Sequence, residues 1–229
     1  MKHHKLMRWH VWLGWLIGVP IIIWTLTGLI MVARPIEEVR GNHLRNIEEP
    51  APLEFTKITL FKSDGGYIRE ARLTHVDGKP IWLVEYIDGG RLRFDAETGE
   101  TMGHVSPVEA RKLAVSEYLP DSAVESVKLF DKVSEMPLEF RKTQPAWRVN
   151  FADGTHIYIA SETGETLAVR TRFWRAFDFM WGLHIMDLQT REDTSHPILI
   201  GSAAIALLGS ILGFVMLFTR RRRKRRKPS

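Results

Sequence analysis

The run W-L-V-E-Y-I-D-G-G-R-L-R-F-D-A-E-T-G-E-T, Trp82 to Thr101, returns as W-R-V-N-F-A-D-G-T-H-I-Y-I-A-S-E-T-G-E-T, Trp147 to Thr166. Every matched pair lies 65 residues apart: Trp82/Trp147, Val84/Val149, Asp88/Asp153, Gly89/Gly154, and Glu97 to Thr101 against Glu162 to Thr166, with Pro80/Pro145 just upstream. Identity at one fixed spacing marks a repeated structural unit, not shared composition. Asp-Gly supplies the positive φ of a tight hairpin turn, and Thr-Gly opens a second bend. Each copy therefore predicts strand, turn, strand, turn, strand. Apolar residues alternate through Trp82, Val84 and Tyr86, Leu92 and Phe94, Trp147, Val149 and Phe151, and Ile157 and Ile159. Such alternation predicts sheet with one covered face.

Outward from the repeat, Ser106-Pro107-Val108-Glu109 is a capping box with proline at the first helical position. It predicts a helix to Tyr118 that buries Ala110, Leu113, Ala114 and Tyr118. Tyr67–His75 and Ala123–Phe130 read as strands, and Phe55–Phe61 as a short helix. The strands and short helices form an α+β unit of two tandem modules, residues 53–104 and 105–170. A proline-containing polar connector, 34–52, precedes them.

Two uncharged apolar runs enclose this unit. Residues 9–33 contain no Asp, Glu, Lys or Arg, and as a helix would rise about 37 Å, enough to cross a hydrocarbon core of about 30 Å. The run is too long for a cleaved signal peptide, and Met31 is bulky where a small residue is wanted. Pro20 predicts a kink. The second run, within 194–219, stops at the basic tail 220–229, which opens Arg220-Arg221-Arg222-Arg223-Lys224. Lys2, Lys5 and Arg8 precede the first run. The positive-inside rule then places both termini in the cytoplasm and residues 34–195 outside. The expectation is a membrane protein whose first segment, 1–33, and second span, 194–219, flank an external domain.

The charge is divided the same way. The whole chain carries 32 Lys and Arg against 27 Asp and Glu, yet all the acids lie in 34–195. The terminal segments hold only basic charges, so the folded middle is acidic and no nucleic-acid surface is expected there. The basic tail reads as a topology anchor with added contact to lipid headgroups. There is no cysteine, which excludes disulfides, thiolate metal sites and iron–sulfur clusters.

Residues 171–193 are dense in aromatics, with Phe173, Phe177, Met180, Trp181 and His184 on one helical stripe. An amphipathic helix in the membrane interface and a helix packed under the sheet both fit this pattern. Small residues recur in the spans at Gly14 and Gly18 and at Gly201, Gly209 and Gly213. Such rows allow close helix approach in lipid, within one chain or in a homodimer.

The strand-and-turn pattern D-G…E-T-G-E resembles the PepSY domain, in two copies. R-W-H-V-W-L-G-W with L-T-G-L in the first span, and W-G-L-H before the second, resemble the PepSY-associated transmembrane family. Larger members of that family have four or more spans. Some are ferric-siderophore reductases whose membrane histidines bind b-type haem and pass electrons outward. Soluble PepSY modules are linked with inhibiting or chaperoning peptidases. This chain has two spans.

No metalloprotease, nucleophile-elbow, phosphate-loop or dinucleotide signature occurs, and no catalytic residue is assigned. Glu97, Glu100, Glu162 and Glu165 read as solvated turn residues, and His43, His75, His104 and His156 as surface residues. The membrane histidines are the candidate cofactor ligands: His10 near the cytoplasmic end of the first span, His184 on the aromatic stripe, and His196 opening the second span. A neutral imidazole ligates haem iron. His10 is separated from the other two by most of the membrane, so a bis-histidine haem at its level needs a dimer, whereas His184 and His196 can pair within one chain or across two. No metal site beyond haem iron is expected. The resulting expectation is a membrane-anchored PepSY-type binding or regulatory accessory protein in an iron or redox setting, with an undetermined periplasmic protein partner. The alternative is a b-haem-binding electron-transfer subunit acting as a dimer.

Overall fold

The computed structural model describes residues 2–46, 52–54, 57–63 and 65–224, and no side chain is described for 2–4, 6 or 219–224. In chain order the elements are α1 (Lys2–Val32), a single turn α2 (Ile36–Val39), β1 (Ile68–Val76), β2 (Lys79–Tyr86), β3 (Arg91–Asp95), α3 (Pro107–Glu117), β4 (Val124–Phe130), β5 (Ala146–Phe151), β6 (His156–Ala160), β7 (Thr166–Arg170), α4 (Arg172–His184) and α5 (Pro197–Lys224). They divide into two compact units, one of Met1–Pro35 with Ala176–Ser229, the other of Ile36–Arg175. The architecture is that of an α+β membrane protein in which two apolar helices flank antiparallel sheets with short helices.

The two copies of the repeat build two separate antiparallel sheets, β1-β2-β3 and β4-β5-β6-β7. In both, the repeat tryptophan clamps the incoming chain. Trp82 donates its indole N–H to the Thr59 carbonyl at 2.9 Å, and Trp147 donates to that of Val105 at 2.8 Å. The backbone repeats the equivalence, since Thr59 N–H bonds Ala96 O as Val105 N–H bonds Ser161 O. Beyond this shared point the copies differ. After Val105 the chain enters α3, whose N-cap Ser106 accepts the Glu109 N–H. After Thr59 it runs on without helix, and Phe61 packs on Trp82 and Phe94 with ring centroids 5.7 and 5.1 Å away. The helix expected over Phe55–Phe61 thus does not form from residue 58 onward, and Phe55 and Thr56 lie outside the described residues. The first segment has no capping residue followed by proline and spends Phe61 on the sheet instead.

The third strand of the repeat also forms once. Thr166–Arg170 is β7, but Thr101 makes only an isolated bridge to Phe94. Gly103, at φ +67°, turns the chain away toward α3. There the second copy carries the strand-forming sequence Leu167-Ala168-Val169, which suits a pleated surface.

The second sheet is covered on both faces, where its alternation predicts one. On one face α3 packs Ala110, Leu113 and Ala114 with Val149, Phe151, Ile157 and Ile159. On the other, Phe140 stacks on Tyr158 at 4.5 Å and joins Ala146 and Ala168. The excursion 131–145 between β4 and β5 delivers Phe140. The corresponding link in the first sheet is the two-residue turn Asp77-Gly78, both at positive φ. The inward set of Ala110, Leu113, Ala114 and Tyr118 is as expected from its spacing, every one buried.

In the other unit α1 and α5 pack antiparallel. A Cβ built on Gly209 would meet Leu13, and one on Gly213 would press on the His10 ring at 2.9 Å. Pro20 sits inside α1 without ending it. The outer faces are strongly apolar, with Trp12 and Trp15 exposed by 71% and 82%. A helix with that much uncovered aromatic surface needs lipid or another helix as its solvent.

Candidate functional site: the membrane histidines

α4 is set by a polar knot at its C-terminal end. Asp187 accepts the backbone N–H groups of Gln189, Thr190, Glu192 and Asp193 and the Thr190 hydroxyl. These donors, the Thr190 hydroxyl first, hold its carboxyl well below the ordinary carboxylate range. Arg191 pairs with the buried Asp178 at 2.6 Å and lends its carbonyl to the Trp181 indole at 3.0 Å. Gly182 is where Arg191 lies down, since a Cβ there would meet its Cγ at 2.9 Å. The buried line on this part of α4 is consequently that of Asp178 and Gly182. The stripe read from aromatics is rotated from it: Phe173 is exposed, and Phe177, Met180, Trp181 and His184 are half-buried.

The knot ends α4 at His184, and His184 meets α1. Its Nδ1 lies 3.0 Å from Thr27 Oγ1, and its carbonyl accepts the Trp24 indole N–H at 2.5 Å. Thr27 is 2% exposed. Gly28 completes the seat, because a Cβ there would stand 3.4 Å from the His184 ring. L-T-G-L and W-G-L-H, far apart in sequence, are thus two sides of one contact. Thr27 is the member of this candidate site that reading the sequence passed over. Its signal was a hydroxyl inside an apolar span, where polar groups are expensive and tend to have a purpose.

The other two candidate ligands stand apart from this seat. His10 packs in the notch of Gly213, and its Nδ1 is buried without a hydrogen-bond partner. It precedes Thr27 by 17 positions on α1, a rise of about 25 Å. His196 caps the first turn of α5, with its Nδ1 3.4 Å from the Ile198 N–H. No hydrogen bond joins any two of the three histidines among the described residues, nor do three or more His, Asp or Glu gather there as a metal site. Of the glycine rows, Gly209 and Gly213 are spent within the chain, whereas a Cβ on Gly14, Gly18 or Gly201 would meet nothing within 4 Å.

His184 suits a haem-iron ligand on two counts. One ring nitrogen is held by a neighbouring oxygen, as ligating imidazoles usually are, and the ring's place is fixed by α1. Among the described residues, His10 and His196 have no such partner oxygen for Nδ1.

No curated protein and no solved structure matches the chain. A family does, over residues 7–229, a stretch that takes in both apolar helices, both sheets and all three membrane histidines. The chain belongs to the PepSY-associated TM region family, and it is a membrane-anchored PepSY-type protein.

Proposed function

We propose that the protein is a haem-binding electron-transfer subunit of the bacterial inner membrane, with both termini cytoplasmic and residues 34–195 periplasmic. The observation that carries this reading is the seat of His184 on Thr27 and Gly28. Bound b-type haem would supply one-electron transfer at the outer level of the bilayer. His184 would hold the iron from one side, and Trp24 and Gly28 would fix the ring's height and tilt. A second histidine ligand would come from His196 or from a second copy of the chain. Gly14, Gly18 and Gly201, unused within the chain, suit a homodimer of two-span chains that makes a four-helix bundle.

The decisive measurement is the visible spectrum of detergent-solubilised protein, oxidised and reduced. A b-type spectrum lost in His184→Ala but kept in His75→Ala supports the reading. Colourless protein from haem-replete cells, unchanged on adding haem, rejects it.

A second reading, a tethered binding or regulatory accessory protein with a periplasmic partner, is favoured by the repeat itself. Its shared residues serve the core and the turns, and the unit is acidic on balance. Deleting 53–170 would then abolish capture of the partner in a crosslinking pull-down, with or without haem.

A further inference from the structure

We propose that Thr27 is a positioning residue: its hydroxyl keeps the proton of the His184 ring on Nδ1 and so leaves the lone pair on Nε2. Thr27 Oγ1 lies 2.7 Å from the Ile23 carbonyl and 3.1 Å from that of Trp24. A carbonyl can only accept, so the single hydroxyl proton goes to the helix backbone. The oxygen then faces His184 Nδ1, 3.0 Å away, with lone pairs alone, and Nδ1 must donate. A neutral imidazole has one N–H, so Nε2 is left unprotonated and competent to ligate iron. Thr27 is 2% exposed, which keeps water from replacing its bond. The Trp24 bond to the His184 carbonyl holds the helix end still while the ring is oriented.

The ligand in this inference rests on the haem reading above; the tautomer does not. Two measurements on the full chain in detergent separate them. Nitrogen NMR of ¹⁵N-histidine-labelled, haem-free protein, with His184 assigned through His184→Ala, is expected to show the proton on Nδ1. Thr27→Val, which keeps the shape and removes the oxygen, moves it to Nε2, and Thr27→Ser returns it to Nδ1. Titration with iron protoporphyrin IX then gives Thr27→Val a dissociation constant about 10- to 100-fold weaker than the parent, with Thr27→Ser close to the parent. A proton found on Nε2 of the parent protein overturns the inference without any variant. So does a Thr27→Val ring that keeps its proton on Nδ1. If the tautomers behave as expected and neither parent nor variant takes up haem, Thr27 keeps this role and the haem reading fails.

Discussion

Arg93 and Tyr158 occupy the same place in the two copies of the repeat, and each holds a glutamate. Arg93 forms a bidentate pair with Glu109 of α3 at 2.6 and 2.8 Å and adds a bond to the Gly103 carbonyl. Tyr158 donates to Glu139 at 2.6 Å, alongside His156 Nδ1 at the same distance. His156, read from sequence as a surface residue, is in fact a partly buried partner of Glu139, which stands 17 residues earlier in the chain. Arg93 is buried, and its partner is one-third exposed. Arg93→Leu therefore strands a carboxylate that water reaches only in part, and we predict a loss of about 2–3 kcal/mol, measured by thermal unfolding of the solubilised protein. The Arg93 guanidinium holds Glu109 below its ordinary value of 4.5. Its contribution is therefore complete above about pH 4.5 and is lost as pH falls through the lowered folded value. Glu109→Gln should flatten the acid side of the stability profile below pH 4.5 and lower stability at pH 7. An unchanged acid limb would show that the pair does not govern it.

At the scale of elements, the turns of the repeat are equivalent in sequence and unequal in surroundings. Gly89, Gly99 and Gly164 all have φ between +75° and +89°. A Cβ on Gly99 would stand 2.5 Å from the Leu60 carbonyl oxygen, on Gly164 3.3 Å from Val76, and on Gly89 in open space. Alanine at Gly89 should then cost about 1 kcal/mol, the left-handed strain alone. Gly164→Ala should cost more and Gly99→Ala most, an order readable in chemical denaturation midpoints. The turns, both tryptophans, α3 and all seven strands were legible in the sequence, because local φ requirements, caps and alternation decide them. The failure of an eighth, the expected third strand of the first copy, was not, since Gly103 outweighs the pattern set by Thr101. Nor was the second covered face, which depends on where the excursion 131–145 lays Phe140. The candidate site divides likewise: His184 stood out by type and place, but its meeting with Thr27, 157 residues away, is a tertiary fact.

For the whole molecule, the proposed orientation can be checked because the native chain has no cysteine. Single cysteines at Lys5 and at Val133, which is 62% exposed, should label oppositely with a membrane-impermeant maleimide in intact spheroplasts. Val133→Cys should react from outside and Lys5→Cys only after lysis; the reverse result inverts the topology. That the described part of the first copy runs on without helix after Thr59 also has a consequence in time. A chain emerging from its N-terminal end completes β1, β2 and β3 before α3 exists, so Arg93 waits for Glu109 and Val76 for the neighbours it meets around Gly164. The earlier sheet is thus finished by the later one, and maturation runs backward against the direction of synthesis. Chains ending at residue 104 should be cut by protease in the region 68–95, and chains ending at 171 should resist. Resistance of the shorter chain would show that the first sheet matures alone.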